Sequence, residues 1–121
     1  MLRIVVATTR PHGLQAFTTA LSSNPEVHLE FVSTEAEALE AVGTSAPQLV
    51  IIDQNLNDSG ALELVPKLLR LNAMVNTAVV SSLSEEEFHE ASEGLGVLGR
   101  LPEEPDGKDA ADLLRKLKAV L

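Results

Sequence analysis

Residues 49–60 read LVIIDQNLNDSG. Leu49, Val50, Ile51 and Ile52 form an apolar, mostly β-branched run without a polar interruption. That is the pattern of a strand buried on both faces, as in a parallel sheet covered by helices. The run stops at Asp53, and the following residues, Gln54 to Gly60, are rich in turn formers. A helical pattern begins after Gly60. One carboxylate therefore sits where a buried strand meets solvent. In open α/β sheets, ligands bind beyond that carboxyl edge.

Outward from this stretch the same alternation repeats. Residues 3–7 (RIVVA) read as a buried strand, with a loop at residues 8–13. Leu14, Phe17 and Leu21 predict a helix over 13–23, stopped by Asn24 and Pro25. Val27, Leu29 and Phe31 alternate with His28, Glu30 and Val32, a more exposed strand at a sheet edge. Ser33 or Thr34 caps the next helix, with Glu37 at capping-box spacing from Thr34. Its expected apolar face is Ala36, Leu39 and Val42, and its expected stop is Gly43.

After residues 49–53, a helix over 61–71 places Leu64, Leu68 and Leu71 inward, with Pro66 near its first turn or kinking it. Residues 77–82 (TAVVSS) are a fourth strand. Ser84 and the acids Glu85, Glu86 and Glu87 mark a helix start, and that short helix ends near Gly94. Residues 97–101 are a weak fifth strand before Pro102. The last helix spans 109–121, with Leu113, Leu117 and Val120 inward. Five β-α repeats imply a parallel sheet with right-handed crossovers and helices on both faces.

Composition narrows the function. The 121 residues fit one domain, 1–121, and 45% hydrophobic content disfavours disorder. No cysteine means no disulfide, no thiolate nucleophile and no cysteine zinc site, which suits the cytoplasm. The net charge of −9 disfavours nucleic acid and anionic membranes as direct partners. No run approaches the ~18 apolar residues of a membrane span. His12, His28 and His89 lack ligand spacing.

The segments RIVVATTRP, LVIIDQNLNDSG, AVVSS and the pair Leu101-Pro102 together resemble the receiver domain of two-component response regulators, the CheY-like fold, over almost the whole chain. The resemblance implies a doubly wound (βα)5 sandwich of three layers, flavodoxin-like, with five parallel strands in the order 2-1-3-4-5. It places Asp53 on the phospho-accepting aspartate and Ser81 or Ser82 on the switch hydroxyl. The strand-one acidic pair of the family is replaced by Thr8 and Thr9. The lysine before the proline after strand five is replaced by Leu101, with Arg100 on the other side of the strand.

In the family, a magnesium ion held by the acids, the acceptor and a loop carbonyl (here Asn55) neutralises charge during phosphoryl transfer. Here only Asp53 remains of the charged set, and each missing contact costs about 1–3 kcal/mol. No metal is therefore expected; Asp53, Asn55 and Asp58 are weak candidates. Asp53 has a simpler reading as a turn cap, and Arg10 as a solvated loop arginine. The expected function is a pseudo-receiver, not an enzyme and without cofactor, that contacts a protein (a sensor kinase, an output domain or a regulator) through residues 84–121, with a homodimer as one form. It would be the N-terminal part of a longer regulator. One alternative is an active regulator phosphorylated at Asp53 with Mg2+ in an altered cage. The other is a flavodoxin-like nucleotide or flavin binder, against which the loop at residues 8–13 lacks spaced glycines.

Overall fold

The computed structural model describes residues 2–54, 56 and 60–121. Ten elements alternate along the chain: β1 (Leu2–Ala7), α1 (Gln15–Ser22), β2 (Val27–Val32), α2 (Glu35–Ser45), β3 (Leu49–Asp53), α3 (Ala61–Leu71), β4 (Asn76–Val80), α4 (Glu85–Ser92), β5 (Gly99–Leu101) and α5 (Gly107–Val120). The strands form one sheet in the order β2-β1-β3-β4-β5, every pair parallel. This is the expected α/β sandwich.

Side-chain alternation along the strands divides the core in two. Leu49 and Ile51 of β3 join Ile4, Val6, Ala78, Val80 and Leu101 beneath α1 and α5. Val50 and Ile52 join Val5, Ala7 and Val79 beneath α2 and α3, with Phe88 of α4. All five residues of β3 are buried, as a central strand requires.

The helix faces depart from expectation where periodicity fits more than one stripe. In α2 the buried residues are Ala38, Ala41 and Val42; Ala36 is exposed and Leu39 only partly buried. Small side chains let this helix lie close to the sheet. Gly43 does not stop it. The helix runs to Ser45, and Ala46 takes a left-handed conformation at φ 45° before Pro47. Leu71 and Val120, each the last residue of its helix, are exposed; Leu64, Val65 and Leu68, and Ala110, Leu113 and Leu117, are among the buried residues.

Pro66 is the sixth residue of α3, so it lies beyond the first turn and removes the amide that would bond the Leu62 carbonyl. The first helix begins with a 3-10 turn, Pro11–Leu14. Strand β4 ends at Val80 and β5 is only three residues long, so both are shorter than their sequence patterns. Among the described residues, no helix is long and apolar enough to cross a membrane.

Candidate functional site

Asp53 ends β3 opposite Val80. Alternation from Leu49 and Ile51 turns its side chain to the α1–α5 side of the sheet. The carboxylate is buried, with 1% of its side-chain surface exposed. A buried ionised group without partners is costly, and here both carboxylate oxygens are engaged.

Thr8 follows the last residue of β1, and its amide donates to the Val32 carbonyl at 2.9 Å. That bond continues the β1–β2 ladder by one residue, on the strand that lies between β2 and β3. Its hydroxyl donates to Asp53 Oδ2 at 2.7 Å and accepts from the Arg10 amide at 3.0 Å. The chain then turns back, and the Arg10 guanidinium reaches the same carboxylate. Arg10 Nε donates to Oδ2 at 2.8 Å and Nη2 to Oδ1 at 3.3 Å. This fork-on-fork geometry is the strong form of a charged hydrogen bond. Nη2 also donates to the Glu103 carbonyl at 2.7 Å, so one arginine joins the end of β3 to the loop between β5 and α5.

Arg10 is thus not a solvated loop arginine; the turn that Asp53 would cap lies largely outside the described residues. The pairing was missed because nothing local in the sequence links residues 10 and 53. The TTRPHG segment does hold one signal: a cation two residues past Thr8, the residue that follows the first strand. Gly13 makes room for it. A β-carbon there would lie 2.6 Å from Arg10 Nη1.

A second bridge runs parallel to the first. Gln54 Nε2 donates to Glu103 Oε2 at 2.9 Å, and its Oε1 accepts from the Ser82 amide at 2.7 Å. The Ser81 hydroxyl, nearly buried, accepts from the Leu83 amide at 3.1 Å, and the Ser81 amide donates to the Leu101 carbonyl at 2.9 Å. Ser82 and Thr9 are exposed. Leu101 pairs with Val80 and packs in the α1–α5 core, on Asp53's side of the sheet. Arg100 pairs with Val79 and lies on the opposite side, as expected. There it donates to the Ser81 carbonyl at 3.1 Å and to Glu85 Oε1 at 3.2 Å. Asn55 and Asp58 lie outside the described residues.

The donor set does not fit magnesium. That ion wants several hard oxygens in octahedral array. Here the positions beside Asp53 are a neutral threonine and an exposed one, and the carboxylate is capped by a guanidinium whose charge repels a cation. Among the described residues, no three His, Cys, Asp or Glu side chains group as metal ligands.

No protein-family model and no curated protein matches this sequence. Solved structures do match in shape. The receiver domain of Francisella response regulator 1452 superposes with a TM-score of 0.84 at 16% identity, covering 100% of both chains. A CheY-like response regulator receiver domain protein from Methanospirillum hungatei JF-1 gives 0.84 at 19% identity, over 99% of this chain and 96% of that one. The response regulator domain of Thermotoga maritima CheB gives 0.76 at 19% identity, over 99% and 96%. With five parallel strands in the order β2-β1-β3-β4-β5 and a carboxylate at the end of the central one, the fold of this chain is that of the CheY-like response regulator receiver domains.

Proposed function

We propose that this chain is a receiver-like signalling module that works by protein contact, without phosphoryl transfer. The observation that supports this reading is the Arg10–Asp53 pair. Attack on a phosphodonor needs a carboxylate lone pair open to the donor, together with positive charge on the transferring group. Asp53 is buried, and its oxygens are already committed to Thr8 and Arg10. The guanidinium neutralises the carboxylate permanently and ties it to the Glu103 loop, so the domain holds one arrangement that no metal or phosphoryl group has to induce. The partner, a sensor kinase, output domain or regulator in the cytoplasm, would dock on residues 84–121, the face next to that loop. In this reading the domain is no enzyme, needs no cofactor and forms the N-terminal part of a longer regulator.

The test is incubation with a small-molecule phosphodonor and Mg2+, read by intact mass. The expected result is an unchanged mass. Addition of a phosphoryl group that Asp53→Asn abolishes would overturn the proposal and make the chain an active acceptor with Arg10 in the role of the charge-neutralising group. Flavin or nucleotide absorbance in the purified protein would instead favour a small-molecule binder.

A further inference from the structure

The two edges of the sheet are unlike. Strand β5 exposes only three residues, too short to template a partner. Strand β2 exposes six, VHLEFV, with no proline or lysine inside it to discourage pairing. Its amides and carbonyls divide by alternation. Leu2 donates to the Glu26 carbonyl at 2.6 Å and Thr8 to the Val32 carbonyl at 2.9 Å, so the even-numbered residues of this strand bond to β1. The odd-numbered residues Val27, Leu29 and Phe31 therefore present their backbone groups to the open edge. Of these, the Val27 amide is already given to the Asn24 carbonyl at 3.0 Å.

The side chains on this edge are self-complementary. Val27 and Leu29 pack partly against the α1–α5 core, whereas Phe31 is 50% exposed. His28 and Glu30 are exposed on the other face. Placing a second β2 antiparallel to the first, with the two-fold axis at Leu29, sets Leu29 opposite Leu29 and Val27 opposite Phe31. The same operation sets His28 opposite Glu30 twice. The Leu29 pair then falls on the hydrogen-bonded positions, where both residues have free backbone groups. The Phe31 amide meets the partner's Val27 carbonyl. His28 and Glu30 fall on the non-hydrogen-bonded positions, where facing side chains are closest.

We propose that β2 is a homodimerisation strand, and that two copies of this chain join edge to edge into one continuous sheet about an axis through Leu29. A shift of one residue in register would set apolar side chains opposite polar ones and lose both the apolar pairs and the His28–Glu30 pairs. The dimer covers Phe31, which the single copy leaves half in solvent. Two chains of charge −9 repel one another at long range, so the measurement belongs at about 0.15 M salt, where that field is screened beyond ~8 Å. This inference rests on the sheet edge alone and stands apart from the phosphotransfer question.

The experiment is sedimentation velocity on the wild-type chain, on His28→Glu and on the double swap His28→Glu with Glu30→His. Both positions concerned, His28 and Glu30, are at the surface, and circular dichroism checks that each variant is folded. The expected pattern is a dimer for the wild type, a monomer for H28E, where four carboxylates face each other, and a restored dimer for the swap. A monomeric wild type, a dimer indifferent to H28E, or a swap that stays monomeric would each overturn the proposal.

Discussion

Arg10→Ala is the sharpest test of the site. It leaves the Asp53 carboxylate, 1% exposed, with the Thr8 hydroxyl as its remaining side-chain partner among the described residues. Breaking one side of a buried ion pair costs about 3–5 kcal/mol. The Arg10 side chain is 32% exposed, so water can enter the vacated space and recover part of that loss. The expected destabilisation is therefore about 2–3 kcal/mol, comparable with one strong charged hydrogen bond. Asp53→Asn leaves a guanidinium that water can reach and costs less, about 1–2 kcal/mol. The double variant should fall short of the sum by about 2 kcal/mol, the coupling expected of residues in direct contact. Urea unfolding with an unchanged m-value measures all three differences. If Arg10→Ala costs less than about 0.5 kcal/mol, as for an ordinary surface substitution, the pair is a surface contact and the argument for a permanently occupied carboxylate fails.

Gly13→Ala pushes a β-carbon against Arg10 Nη1 and should cost about 1–2 kcal/mol as overpacking; the cost should vanish in the Arg10→Ala background, as the same urea curves would reveal. Ala46→Gly removes a β-carbon from a left-handed position at φ 45° and should stabilise by about 0.5–1 kcal/mol in thermal or urea unfolding. Glu37 and Glu87 are held below their ordinary value of 4.5, chiefly by the backbone amides of Ser33 and Ser84, and Asp106 below 3.8 by the amide of Asp109. Groups lowered in the folded state contribute stability that is complete above those ordinary values and is lost as pH falls through the lowered ones. Stability should thus decline below about pH 4.5, and Glu37→Gln, Glu87→Gln and Asp106→Asn together should flatten that acid limb in a pH series of unfolding curves.

The strands were legible because their signal is local. LVIID and RIVVA can only be buried strands, and β2 was readable as an edge strand because its apolar residues alternate with His28 and Glu30. Helix ends were less legible. Gly43 resembled a stop, but the helix, with Ala41 and Val42 buried, runs to Ser45, and the left-handed Ala46 before Pro47 ends it. Leu71 and Val120 continue the periodic stripe of their helices yet are exposed as the last residue of each, and a repeat in sequence does not reveal where its partner surface ends.

By itself the sequence determined the β-α alternation, the carboxylate at the end of a strand buried on both faces and the absence of acids at the end of the first strand, since each follows from residue types within a few positions. What answers that carboxylate was decided only by the tertiary structure. Parallel register brings Thr8 alongside Asp53, and the Arg10 guanidinium closes onto it over the space that Gly13 leaves open. An ion pair between residues 43 apart depends on where two loops run in space, and no local pattern encodes that.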